Sequence, residues 1–356
     1  MNFSTTRQRR VLFAAALVGA AVATGRFTPA PLTAQRAVGA TVVSTARQGT
    51  TALVGGTLID GNGGAPITNS VILVRGTTIV AVGRVGSLAV PAGATVISTE
   101  GMHLLPGLWD MHVHLMLVGH GNYAHWDSVY PGEWGRSIMP AAARQSLMAG
   151  VTSVRDLGAP LDEVLDVKRR IARGELQGST IYTSGPFLQH APYPGTEKFR
   201  WGIDGVADAR AKVKRLADAG VDVIKLIDQD QMTTDEIRAI VDEAHARKLP
   251  VVAHAHRPEE IRRGLAIGVD DFEHTGLQTA PAYPDDVMQA LRERTAQGAK
   301  GPLFWTPTID VLTNYTVGYK FKLLSVAFAV TKAPTTAAKL TTLNLEIGTT
   351  NVTGGA

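Results

Sequence analysis

The residues best equipped for chemistry lie within Leu105–Leu115, which reads Leu-Pro-Gly-Leu-Trp-Asp-Met-His-Val-His-Leu. Pro106-Gly107 is a turn signal. Beyond it Trp109, Met111, Val113 and Leu115 alternate with Asp110, His112 and His114, the pattern of a strand. Side chains alternate across a strand, so His112 and His114 share one face, with Asp110 behind them. Two imidazoles so placed can bind one metal ion or two neighbouring ions. The Asp110 carboxylate can take the other ring N–H of a histidine and fix its tautomer. Alone, the pair reads equally well as hydrogen-bonded polar core residues. The same residue types recur downstream: Lys225 within an apolar run, then His254-Ala255-His256, then Glu273-His274.

These residues need elements to bring them together. From Leu108 onward, short apolar runs alternate with helical patterns. The runs are Leu108–Leu115, Val151–Leu157, Thr180–Ser184, Asp222–Ile227, Pro250–His256, Asp270–His274 and Leu303–Thr308. Thr233 to Glu236 is a capping box, and Ile237, Ile240, Val241 and Ala244 follow at helical spacing. Pro258 opens the next helix, whose Ile261 and Leu265 face inward, and Gly268 closes it. Val206–Gly220 and Pro284–Gly298 behave alike. Repeated βα units mean parallel strands, and an α/β fold of the TIM-type (β/α)8 barrel class fits best. An open doubly wound sheet is the alternative, but no glycine-rich phosphate loop follows any strand. In a barrel, catalytic groups sit at the C-terminal ends of strands. His112, His114, Lys225, His254 and His274 would then converge on one mouth.

Ahead of the barrel, residues 51–105 read as a small β unit. Leu53–Ile59, Val71–Val74, Thr78–Val82 and Thr95–Ser98 are its antiparallel strands, with turns at residues 60–64 and 75–76. Residues 1–36 read as a cleaved export signal. Arg7, Arg9 and Arg10 precede the apolar Val11–Thr24, and Leu32-Thr33-Ala34 ends in a small residue. The expected location is therefore periplasmic or secreted, by a Sec or twin-arginine route. Residues 37–50 form a linker, 106–310 the barrel and 311–356 an atypical tail rich in Lys, Thr and Ala.

Composition narrows the function. The formal charge is +4, but five arginines and no acid lie in residues 1–36. Four lysines and one glutamate lie in residues 311–356, so residues 37–310 carry 26 basic and 30 acidic side chains. That gives no basic patch for nucleic acid. With no cysteine, disulfides and thiolate-bound zinc are excluded. After signal cleavage no membrane partner is expected. Oligomeric state is not visibly encoded, which leaves a homo-oligomer open.

The combined motifs resemble the amidohydrolase superfamily of metal-dependent hydrolases. Pro-Gly-x-x-Asp-x-His-x-His is that superfamily's strand-one signature. Asp-Val-Ile-Lys, His-Ala-His and Glu-His-Thr-Gly are similar to its imidazolonepropionase-related branch, which includes dipeptidases such as prolidases, and carboxypeptidases acting on C-terminal basic residues. The resemblance covers Thr51 to about Asp310. It implies a β/α barrel with a small β-sandwich built from both chain ends, and cleavage of C–N bonds in a small amide or dipeptide-like substrate.

Carried over, His112 and His114 would bind the more buried of two divalent ions, with zinc the first choice. Lys225, carboxylated by CO2, would bridge the pair, and His254 and His274 would hold the second ion. The two ions would share a hydroxide. Lys225, His254 and His274 are the expected catalytic residues. His256 and His190 are expected substrate contacts, and Asp110 is expected to support the histidines. The family pattern also asks for a strand-eight Asp. No Asp occurs after Asp310, and Asp310 falls just past strand seven. The expectation is a C-terminally truncated member whose eighth strand is missing or atypical. Two other readings compete. A mononuclear deaminase or cyclic-amide hydrolase needs no lysine bridge, so Lys225 argues against it. An inactive remnant that at most binds metal or a ligand is favoured by the missing Asp. Arg155-Asp156 reads equally as a structural ion pair or a substrate clamp. His120 and His125 are weaker candidates for the mouth, while His103 and His245 read as structural and surface residues.

Overall fold

The computed structural model describes residues 49–118, 123–130, 132–274, 283–296 and 303–306, and two short strands at Glu346–Ile347 and Thr350–Asn351. The expected export signal, most of the linker, His120, Asp310 and most of the tail lie outside these residues. So does any eighth strand, which would follow residue 306. No described helix is long and apolar enough to cross a membrane.

The chain divides into two compact units. In the smaller, four strands form one sheet in the order Thr78–Arg84, Ser70–Arg75, Thr50–Val54, Thr95–Ser98. Ala52, Val71 and Leu73 form its buried core. The sequence predicts an antiparallel unit, but Thr50–Val54 pairs in parallel with Thr95–Ser98. The predicted strand Leu53–Ile59 is also cut in two. Gly55 sits at φ 101°, a conformation that breaks the extended run. Thr57–Leu58 instead pairs with His103–Leu104 in the larger unit. Residues 56–69 and 99–105 thus group with the barrel. Among the described residues the smaller unit is a single sheet, with no opposing layer.

The larger unit contains seven parallel strands at the predicted places, each shorter than its apolar run. Leu108–Val113, Val151–Asp156 and Thr180–Thr183 form one ladder. Ile224–Leu226, Val251–His254, Asp271–Glu273 and Phe304–Thr306 form another. Asp222 joins the two ladders. Its backbone N–H donates to the Thr183 carbonyl at 2.8 Å, and its carboxylate accepts the Thr183 N–H at 2.7 Å. Two strands escape the sequence reading, which leaves the segment after strand three as loop. Phe187–Gln189 pairs in parallel with Arg200–Gly202 and, through Leu188, with Leu226. They are short, and no period distinguishes three residues from loop.

Among the described residues, six helices of at least ten residues follow or separate the strands: 139–148, 161–172, 205–219, 234–246, 258–267 and 285–296. The capping box forms as read. The Thr233 hydroxyl accepts the Glu236 N–H at 3.2 Å, and Glu236 accepts the Thr233 N–H at 2.7 Å. Ile237, Ile240, Val241, Ala244 and Ile261 are buried against Leu188, Ile224, Leu226, Val251 and Phe272. That apolar contact holds helices to strands and fixes where the strand ends lie.

Gly264 shows how close this packing is. An alanine in a helix is favoured over glycine by about 1 kcal/mol. Here an added Cβ would meet the Phe272 ring at 2.5 Å. Phe272 is fully buried against Trp305, and such overpacking costs about 1–3 kcal/mol. Gly264→Ala should therefore lower the melting temperature; a rise would show that the ring moves aside freely.

Candidate metal centre

The strand ends deliver histidines to one place. His112 lies in Leu108–Val113, and His114 just past it. His254 ends Val251–His254, His256 follows two residues on, and His274 directly follows Asp271–Glu273. The His112 and His114 ring centroids are 5.3 Å apart, and those of His112 and His274 are 4.5 Å apart. His254 lies 4.3 Å from both His256 and His274, and His256 stacks on His274 at 4.4 Å. Lys225, in the middle of Ile224–Leu226, is 1 % exposed.

His274 reaches this cluster through strain. Strict alternation would send Glu273 and His274 to opposite faces. Yet Glu273 contacts the His112 ring nitrogen, and the His274 ring lies against the same His112. His274 has φ 62°, left-handed for a non-glycine residue, which costs about 1–3 kcal/mol. Its N–H donates to the Thr306 carbonyl at 3.1 Å, anchoring the turn to strand seven.

Ring orientation is set by partners that the sequence reading misses. His112 Nδ1 lies 2.6 Å from Glu273 Oε2. His114 Nδ1 lies 3.2 Å from the Gly158 carbonyl. Both contacts call for an N–H at Nδ1, so Nε2 carries the lone pair in each ring, the tautomer a metal ion needs. The expected role of Asp110 is corrected here. Its Oδ1 accepts the backbone N–H of His112 at 3.1 Å, and the ring is held by Glu273. Local strand geometry suggests Asp110, but a carboxylate 161 residues away wins the ring.

Glu273 is in turn held by Arg155, which also bonds Asp271 at 2.7 Å and the Met111 carbonyl at 2.7 Å. Thr306 Oγ1 accepts from the same guanidinium at 3.2 Å. Arg155 is therefore a structural tie between strands. Asp156 accepts the N–H groups of Leu115 at 2.9 Å and Gly158 at 3.1 Å, steadying the chain beside His114. A partial signal was present: Asp271 and Glu273, two residues apart on one strand, share a face, but Arg155 lies on strand two of the other ladder, so its pairing with them is long-range.

Electrostatics favours neutral ligands. Burial, reinforced by the Lys225 charge, holds His112 and His254 well below the usual histidine range. Burial, as the largest cause, lowers His274 likewise. These imidazoles are neutral at pH 7, the form that binds metal. Burial pushes the Lys225 amine down to about 8, against the pull of the Glu273 carboxylate. Its Nζ and the buried Nδ1 of His254 have no hydrogen-bond partner among the described residues. A buried amine without a partner is costly, and its neutral form is the one that adds CO2. Burial also raises Asp110 and Asp271 to about 6. The donor set thus fits divalent first-row ions.

The remaining residues divide clearly. His190 is exposed beyond Phe187–Gln189, and no contact among the described residues joins it to the cluster. His125 is exposed on the short helix Tyr123–Val129. His103 is exposed, and His245 pairs with Asp270 at 2.8 Å on the surface. Trp134 is buried against Phe199, and Arg215 covers Trp201, so both pack.

An α/β architecture of parallel strands and covering helices, with imidazoles gathered at the strand ends, is that of a TIM-type barrel with a histidine-lined mouth. The chain belongs to the amidohydrolase family, whose model matches residues 103–327, more than half its length. It is 25% identical over 300 residues to the ochratoxinase of Aspergillus niger, covering 71% of this chain and 59% of the relative. Among solved structures it resembles a putative prolidase from Bifidobacterium longum, with 28% identity, a TM-score of 0.57, and coverage of 69% of this chain and 57% of that one. It also resembles a prolidase in complex with N-methylphosphonate-L-proline, with 26% identity, a TM-score of 0.61, and coverage of 73% and 66%. The chain thus spans about 59% of the length of the ochratoxinase that it matches.

If Glu273 sets the His112 ring, Glu273→Gln should weaken metal binding by about 10–100-fold in a chelator competition. Affinity within twofold of the parent would mean that the contact does not orient the ligand.

Proposed function

We propose that the chain is a metal-dependent amidohydrolase that cleaves C–N bonds in small amide or dipeptide-like substrates. The single observation carrying this is the Lys225 amine, buried without a partner beside neutral, tautomer-fixed imidazoles. Family membership and the named activities of the relatives support it: an ochratoxinase and two prolidases. His112 and His114 would hold one divalent ion, and His254 and His274 a second. Lys225, carboxylated by CO2, would supply oxygen ligands to both. Bound there, such ions supply Lewis acidity and a water activated at neutral pH for attack on an amide carbonyl.

The chain's own residues do the rest. Glu273 and the Gly158 carbonyl aim His112 and His114 by holding their Nδ1 protons. Burial excludes water from Lys225 and favours its neutral amine. Addition of CO2 to that amine forms an N–C bond and releases one proton, leaving an anionic carbamate where a cation would otherwise be buried. His190 remains a proposed substrate contact.

The test is a screen of dipeptides and N-acyl amino acids with the full chain, supplied with zinc and bicarbonate. Turnover is expected in the parent. Lys225→Ala is expected to lose turnover and to bind no more than one ion. A Lys225→Ala protein that held two ions as tightly as the parent would contradict the bridging role.

A further inference from the structure

His256 is expected from sequence to touch substrate, yet the structure groups it with ligand atoms. One ring nitrogen from each of His254, His256 and His274 lies within 4.8 Å of the others. Zinc–nitrogen bonds of 2.0–2.1 Å in a tetrahedral site place donors roughly 3.3 Å apart. Ligation would require the rings to turn so as to close that gap.

The backbone carrying His256 is fixed as firmly as that of His254, although it lies beyond the strand. Gln229 is fully buried, and its Nε2 donates to the His254 carbonyl at 2.6 Å and the Glu260 carbonyl at 3.2 Å. Glu260, also fully buried, accepts the N–H groups of His256 at 2.7 Å and Arg257 at 2.8 Å. Arg257 returns to bond Glu260 at 3.0 Å, with Asp228 and Asp230. Among the described residues the other close set of ligand atoms is Asp228, Asp230 and Glu260, and it already shares this guanidinium as its cation.

We propose that His256 is a metal ligand, and that His254, His256 and His274 form a three-histidine site for one divalent first-row ion that fills without carboxylation of Lys225. Neutral imidazoles suit zinc and its neighbours. This rests on the metal-dependent reading above and changes its ligand set: the second ion gains His256, and its binding no longer depends on the lysine bridge.

The experiment reads zinc per chain by elemental analysis, after loading the full chain with zinc and dialysis. Lys225→Ala should retain about one zinc, and Lys225→Ala combined with His256→Asn should retain none. Zinc bound by the parent but equal in the two variants overturns this inference alone. A zinc-free Lys225→Ala chain does the same. No zinc in the parent overturns both readings. If the double variant lacks a folded far-UV spectrum, His256→Asn alone decides. It should release its more weakly held zinc at least about tenfold more readily, and unchanged affinity would overturn the proposal.

Discussion

The structure turns on a buried carboxylate, Glu273. A carboxylate removed from water costs several kcal/mol unless it is paired and hydrogen-bonded. Glu273 meets that demand with one oxygen on Arg155 and the other on the His112 ring. Arg155 is itself secured to the Met111 carbonyl, Asp271 and Thr306. One ionic knot therefore spans strands one, two, six and seven. Each member is satisfied only in a single register, because a one-residue slip would turn its side chain to the other face. The apolar helices hold the strands together, while this knot fixes which side chains reach the mouth.

The site follows from that register. Lys225 and Glu273 lie on strands separated only by Val251–His254, and the lysine is left without a hydrogen-bond partner among the described residues. The left-handed turn at His274 lets Glu273 and His274 converge on His112 despite being sequential. Backbone strain there is sustained by the anchor to Thr306 and by the packing of Phe272. Strain held by surrounding structure is a mark of functional positions. Structural stability and ligand geometry thus draw on the same few contacts.

Much of this was legible from sequence because it is periodic. Apolar runs about one βα unit apart placed all seven strands, and a Thr233–Glu236 spacing announced one helix start. The histidines were legible because they fall where those runs end. What escaped was long-range or aperiodic. No local pattern says that His112 will pair with Glu273 rather than Asp110. Nothing in the spacing of Gln229 and Glu260 says that they clamp the His254–His256 backbone. Phe187–Gln189 and Arg200–Gly202 are too short to show a period, and the parallel pairing of Thr50–Val54 with Thr95–Ser98 depends on a crossover that composition does not encode.

The proposed two-ion centre draws its lysine and histidines from strands one, four, five and six. Metal content per folded chain, measured by elemental analysis after purification, tests it most directly. About two divalent ions per chain is the predicted result. A folded chain that retains no metal, even after refolding with zinc and bicarbonate, would contradict it.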